Sequence, residues 1–386
     1  MKKFVILLIT LLLHVSFVTA AEDPQNSDIL SNLEVIANQV NDLYDVGKRT
    51  LLSIEDIPTS TLTREIIINY INKQRNSNTK INIPFDLSPN LSGLDLSELD
   101  FRDAIMNNII MIGCNISNSN FNGVMLEGSD MREVTAVGTQ FNLANIAGTV
   151  FDDANLEYAS FSETFADNTS FANANLKNAM INHGSFQEAI FTGANLENAE
   201  MQYSQFQKSV FNNTKAKHAT FNSSALAYSQ IRDSDWTNVD LKSSESHDVD
   251  FTNSKLSNAN MFSGNFSNSN FSNAVMHQIY AEGIDFSDCM FQGANLSGSI
   301  LSSASFEGST ITDVNLTYCI LNDVNLQNAD LSNSDLTSSL MKDTLLLSTK
   351  LYKTKFKDVF LKLPQLETVN FTDAIVENSV VINSKE

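Results

Sequence analysis

Four of the five histidines (all but His14), three cysteines and one pair of aspartates are the residues of this chain with chemistry to offer. His183, His218, His247 and His277 are imidazoles of the kind that hold a metal. Cys114, Cys289 and Cys319 could form one disulfide and leave one thiol. Asp323 and Asp343 could share a divalent cation. Each role needs convergent partners, so it turns on the elements that hold these residues. Those elements are set by one long repeat.

From Leu91 to Val381, every fifth residue can be followed without an insertion or deletion, giving 59 positions. All but Ala136, Ala166, Ala216, Ala281 and Ser246 are Leu, Phe, Ile, Met, Val or Trp. A period of five is neither that of a strand nor that of a helix. Two residues before each of these centres the side chain is almost always small, as in Ala144, Thr149, Ala154 and Ala159. Residues two apart on an extended segment point the same way, so each unit sends one large and one small side chain inward. Two residues after each centre the composition changes to Asn, Asp, Gly and similar residues, as in Asn168, Asn173 and Gly193, which tolerate left-handed backbone angles. The chain is therefore expected to turn a corner every five residues and to wind into an all-β solenoid, a β-helix.

Ala154-Asn155-Leu156, Ala174-Asn175-Leu176, Ala194-Asn195-Leu196, Ala294-Asn295-Leu296 and Ala329-Asp330-Leu331 resemble the Ala-(Asp/Asn)-Leu-x-x motif of the pentapeptide-repeat family. The resemblance implies a right-handed quadrilateral β-helix of four pentapeptides per coil. With about 4.8 Å between coils, residues 91–386 would make a rod on the order of 70 Å long.

If a coil is 20 residues, residues 20 apart stack. Phe151, Phe171, Phe191 and Phe211 then form one interior column, and Phe101, Phe121, Phe141 and Phe161 another. Outside, Asn155, Asn175 and Asn195 stack and continue through Lys215, Asp235 and Lys255, which reads as an ion-pair ladder. The three cysteines fall at the small inward position and read as buried free thiols. No two of the four histidines share a column, so no histidine metal site is expected. Asp323 and Asp343 do stack, but two carboxylates alone make a weak site. A filled interior leaves no room for a cofactor or substrate, and no catalytic residue is assigned.

Three irregularities mark candidate contact sites. In the coil from Ile231 to Asp250, the only Trp (Trp236) and the only polar centre (Ser246) occur among carboxylates. A bulge carrying an acidic patch of Asp233, Asp240, Glu245 and Asp248 is expected there, against the alternative of a tolerated defect. An outward column that is otherwise polar becomes Tyr280, Ile300, Ile320, Leu340, Phe360 and Val380. Contiguous exposed apolar surface marks a contact site, here for a homodimer or another protein partner. Lys342, Lys350, Lys353, Lys355, Lys357 and Lys362 make a basic band near the far end.

The remaining chain divides in two. Residues 1–20, with Lys2, Lys3, an apolar run from Phe4 and the sequence Val18-Thr19-Ala20, read as a signal peptide cleaved before Ala21. No membrane span is expected after that cleavage. Residues 21–90 lack the five-residue register and read as a helical cap region. It has one helix over about 27–53, where Ile29, Leu33, Ile36, Val40 and Leu43 recur four and three apart, and another from about Thr61 to Gln74.

The net charge of −21 becomes −23 when Lys2 and Lys3 are removed, so no direct nucleic-acid ligand is expected. The leading expectation is a non-enzymatic binding or scaffold rod exported to the periplasm or outside the cell. The resemblance supplies an alternative. Bacterial quinolone-resistance members of the family are acidic rods that mimic DNA and occupy the DNA site of type II topoisomerases. This chain shares the acidity but has an apparent signal peptide and lacks a helical module at its C-terminus.

Overall fold

A computed structural model of the chain describes residues 62–82 and 90–384. The expected signal peptide and the expected first helix over 27–53 lie outside the described residues. From residue 90 onward the backbone is a stack of parallel coils in which each residue facing outward before a centre pairs with the residue 20 further on, as in Asn155↔Asn175↔Asn195. Each centre donates its N–H to the next coil, as Phe171 does to the Ile190 carbonyl at 2.7 Å. The residue before it donates to the preceding coil, as Ile190 does to Thr169 at 3.0 Å. Four five-residue sides close each coil.

The corners fall where the sequence places them. Asn173 and Gly193 take φ of 57° and 72°, and the next N–H closes the turn, Ala174 donating to the Phe171 carbonyl at 3.1 Å. Leu143, Tyr158 and Tyr203 hold the same left-handed angle, at 59°, 59° and 60°. For such residues that conformation costs about 1 kcal/mol or more, which the stacked coils on either side must offset.

Inside, the phenylalanine columns form as expected. Phe151, Phe171, Phe191 and Phe211 stack at centroid spacings of 5.4, 5.1 and 4.7 Å with planes within 8°. Neighbouring columns meet edge to face, as at Phe151 and Phe161, 6.2 Å apart and 84° inclined. Both arrangements suit the ring quadrupole.

The small inward position does more than save space. At most positions where it is Ser or Thr, the hydroxyl donates to the centre carbonyl 23 residues earlier, as Thr169 does to Ile146 and Ser204 to Ile181, at 2.8 and 2.7 Å. Each such bond ties one coil to the coil beneath. The three cysteines are buried and free, and their thiols take the hydroxyl's place. Cys114 donates to Leu91, Cys289 to Phe266 and Cys319 to Leu296, at 2.7, 3.0 and 3.1 Å.

The expected bulge at Trp236 does not form. The Trp236 N–H donates to the Lys255 carbonyl at 2.8 Å in unbroken register, and the indole is fully buried. It stacks on Phe221 at 4.6 Å, and its Nε1 donates to Thr214 Oγ1 at 2.9 Å. Room comes from two small centres. Ala216 lies one coil earlier in the same column, and Ser246 faces the indole across the coil, ten residues on. The two oddities of this coil are one volume exchange.

The 20-residue register holds to Val381, with Leu361 pairing with Val381, but one side of the last coil is irregular. Leu361 is the last fully buried centre. Pro364, which has no N–H to donate, opens a side whose path bends into a 3₁₀ turn at Leu366–Thr368. Lys353 consequently donates to the Asp373 carbonyl, 20 residues on instead of the usual 19. Among the described residues, regular strands appear only here: β1 (Leu340–Lys342), β2 (Lys355–Lys357), β3 (Phe360–Leu363), β4 (Ile375–Glu377) and β5 (Val380–Asn383). They pair in parallel as β1-β3-β5 and β2-β4.

At the other end, α1 (Arg64–Asn76) covers the first coil. Thr63 caps it by accepting from the Ile66 N–H, and Ile67 and Ile71 join the hydrophobic core. A first coil has carbonyls that no preceding coil can satisfy. Arg64 donates to two of them, Nη1 to Asp95 and Nη2 to Ser97, both at 2.8 Å. Arg75 Nη2 donates to a third, that of Arg102, at 2.7 Å. Tyr70, half-buried against the core, donates its hydroxyl to the Asn82 carbonyl.

Candidate functional site

Each side of a coil points two residues outward, one before and one after its centre. Tyr280, Ile300, Ile320, Leu340, Phe360 and Val380 occupy the first of these on one face and pair in unbroken succession. They are between 36% and 52% exposed. With coils about 4.8 Å apart, the column is about 24 Å long.

The neighbouring outward column extends this surface in a way the sequence reading missed. Phe262 stacks on Tyr280 at 5.6 Å with planes 9° apart, and Lys242 Nζ lies 5.5 Å from the Phe262 centroid. Tyr280 donates its hydroxyl to Glu282 Oε2 at 3.1 Å, and this carboxylate raises the phenol's pKa. Further along, Ile382 follows Lys342 and Lys362 in the same register. The period of 20 in sequence was the available signal, but Phe262 and Ile382 sit two residues off the column being followed.

The basic band is divided among faces. Lys342 and Lys362 flank the apolar column. Lys350 and Lys355 pair with Asp330 and Asp335 of the preceding coil, at 3.2 and 3.1 Å. Lys353 lies at a corner, with its Nζ 5.0 Å from the Tyr352 centroid. Lys357 is on the same side as Lys355, in β2.

The four carboxylates expected to form an acidic patch are spread around their coil. Asp240 and Glu245 lie on successive sides, and Asp233 and Asp248 are at corners. Asparagines of the next coil donate to three of them, Asn253 to Asp233, Asn260 to Asp240 and Asn265 to Glu245, at 3.0, 3.0 and 3.2 Å. Asp248 pairs with its neighbour His247 at 2.7 Å.

The expected lysine-aspartate ladder is also rearranged. Asp235 is held by Lys217 at 3.3 Å, two residues beyond its column neighbour Lys215. The Asn155, Asn175 and Asn195 ladder does form, with Nδ2 to Oδ1 bonds of 3.1 Å.

Chemical reactivity is low elsewhere. Burial pushes the Cys114 thiol up to about 11 and Cys319 to about 12, and raises Cys289 as well. Among the described residues, no three of His, Cys, Asp and Glu gather as metal ligands, and no helix is long and apolar enough to cross a membrane. One open depression of about 500 Å³ lies along the corner formed by Leu143, Glu163, His183 and Tyr203, beside Phe165 and Gln205. Its His183 and Tyr203 rings stack at 5.0 Å.

Solved structures with likeness to the chain include HetL, a pentapeptide-repeat protein involved in heterocyst differentiation regulation from Nostoc sp. strain PCC 7120. It is 19% identical, with 61% of this chain and 89% of that one covered and a TM-score of 0.30. QnrB1, a plasmid-mediated fluoroquinolone resistance protein, is 14% identical, covering 52% and 95%, with a TM-score of 0.22. A pentapeptide-repeat protein of the Arabidopsis thaliana thylakoid lumen is 24% identical, covering 28% and 63%, with a TM-score of 0.18. No curated protein matches the chain. The model of pentapeptide repeats matches residues 95–132, 109–148, 149–187, 189–226, 247–278, 282–317 and 319–358. The chain belongs to the pentapeptide-repeat family, whose members fold as right-handed quadrilateral β-helices.

Proposed function

We propose that the chain is an exported, non-enzymatic binding or scaffold protein that makes protein contacts through the apolar stripe from Tyr280 to Val380, with Lys342 and Lys362 beside it. The stripe carries the reading. Six stacked apolar side chains expose contiguous surface of the kind that marks a contact site. Family members are generally non-enzymatic scaffolds, and the filled interior suits that role. Export rests on Lys2, Lys3, the apolar run from Phe4 and Val18-Thr19-Ala20.

The test is Ile320→Lys combined with Leu340→Lys. Both side chains point outward, so thermal unfolding should be nearly unchanged while protein association is lost. Association equal to that of the unaltered protein would remove the stripe from the account. The acidic charge supports one other reading, DNA mimicry. A supercoiling assay with the purified protein decides it, and inhibition by the double lysine variant and the unaltered chain alike would favour mimicry over the stripe.

A further inference from the structure

The contact face has two outward columns, and together they form a palindrome. The first reads Tyr280, Ile300, Ile320, Leu340, Phe360, Val380, and the second Phe262, Glu282, Ser302, Asn322, Lys342, Lys362, Ile382. The apolar surface runs from Phe262 to Ile382, so its midpoint is the coil of Ile320 and Asn322. Reflected along the rod about that coil, Phe262 falls opposite Ile382, Glu282 opposite Lys362, and Ser302 opposite Lys342. In the first column Tyr280 falls opposite Phe360 and Ile300 opposite Leu340, while Ile320 and Asn322 meet themselves. Asn260 opposite Val380 and Ser302 opposite Lys342 are the two pairs neither alike nor opposite in charge.

We infer that this face pairs with the same face of a second copy, with the two rods antiparallel. The twofold axis lies across the face through Ile320 and Asn322. Such an axis keeps each column opposite itself and reverses its order, which is the self-complementarity an isologous interface requires. A twofold axis along the rod would instead set Lys342 and Lys362 of both copies at the same levels, where like charges repel. The antiparallel arrangement also sends the acidic first parts of the two rods in opposite directions, which limits their mutual repulsion.

The inference rests on the reading of the stripe as a contact surface and adds its occupant and orientation. The patch is about 29 Å long and about 10 Å wide, on the order of 300 Å² per copy. That is small for a stable dimer, so association should be weak and concentration-dependent.

The test uses Asn322→Cys in the full-length chain, with Asn142→Cys in the same column as control. The native cysteines are buried, which leaves the introduced thiol accessible. Packed sheets sit about 10 Å apart, too far for a direct disulfide, so a bis-maleimide of about that span is the probe. At about 100 µM, where so small an interface should associate, Asn322→Cys should be cross-linked to a dimer severalfold more than Asn142→Cys. Glu282→Lys should lower that yield, and Glu282→Lys with Lys362→Glu should restore it.

A protein that sediments as a dimer but shows no preference for position 322, or no rescue by the charge exchange, overturns the antiparallel pairing and leaves the contact surface standing. A protein that stays monomeric at that concentration overturns the pairing outright. If binding to other proteins is then also indifferent to Ile320→Lys, the contact reading falls with it.

Discussion

Replacing Arg64 by Ala should loosen the first coil and nothing else. Interior coils satisfy the carbonyls at the positions of Asp95 and Ser97 with backbone N–H groups from the coil before. At the first coil one guanidinium supplies both bonds, at 2.8 Å each. A hydrogen bond from a charged donor contributes about 1.5 to 3 kcal/mol, so the pair starts from at least about 3 kcal/mol. The Arg64 side chain is 36% exposed, and water can reach the carbonyls once it is gone. That reduces the expected loss to about 2 kcal/mol.

Stability in a stacked repeat is a sum of coils and nearest-neighbour contacts, so this loss should stay local. In native-state hydrogen exchange, the amides of Leu96 and Glu98, which donate to Asn115 and Ser117, should exchange about thirtyfold faster. The amide of Leu196, five coils away, should be unaffected. Arg64→Lys should recover less than half of the protection, because an ammonium cannot fork between two carbonyls. Unchanged exchange at Leu96 and Glu98, or an equal increase along the whole rod, would refute this account of the cap.

Other consequences are as direct. Trp236→Ala should cost about 3 to 5 kcal/mol in unfolding free energy, because Ala216 and Ser246 are too small to fill the space it leaves. In the unaltered protein, the emission of this sole tryptophan should be blue-shifted and resist acrylamide quenching. Cys114, Cys289 and Cys319 should react with a maleimide only on unfolding, read as adducts by mass spectrometry across a denaturant series, and Cys289→Ser should fold normally because the hydroxyl keeps the bond to Phe266. The Arg132 guanidinium bonded to Asp130 holds that carboxyl below its ordinary value. A depressed folded-state pKa adds stability above the unfolded value, near 3.9, and that stability is lost as pH falls through the folded value. The gap in melting temperature between the unaltered protein and Arg132→Ala should therefore be constant above about pH 5 and close in stronger acid.

Most of the fold was legible because a five-residue side demands one large inward residue, one small one and one that can turn a corner. Local composition reports all three demands. What depends on relations between coils was harder to read. Trp236 looked like a defect when taken alone, whereas Ser246 across the coil and Ala216 beneath make the room it needs. Counting by fives missed the irregular side that Pro364 opens, because the N–H it lacks is the one that closes a corner, as that of Ala174 does to the Phe171 carbonyl. The Arg64 cap was invisible because the carbonyls it serves become orphans only once coils stack. At the contact face, the stripe from Tyr280 was readable from its period of 20. Phe262, Ile382 and the alternation of Glu282 with Lys362 required both columns of the face to be seen together.

The central claim is that this rod meets its partners on the face between Phe262 and Ile382. Hydroxyl-radical footprinting of the full-length protein, compared at low and high concentration, tests it residue by residue. The account predicts falling oxidation at Tyr280, Ile320, Leu340 and Phe360 as concentration rises. Tyr158, Tyr203 and Tyr228, exposed at corners of the earlier coils, should hold constant. Protection that appears at those corner tyrosines and spares the stripe would contradict it.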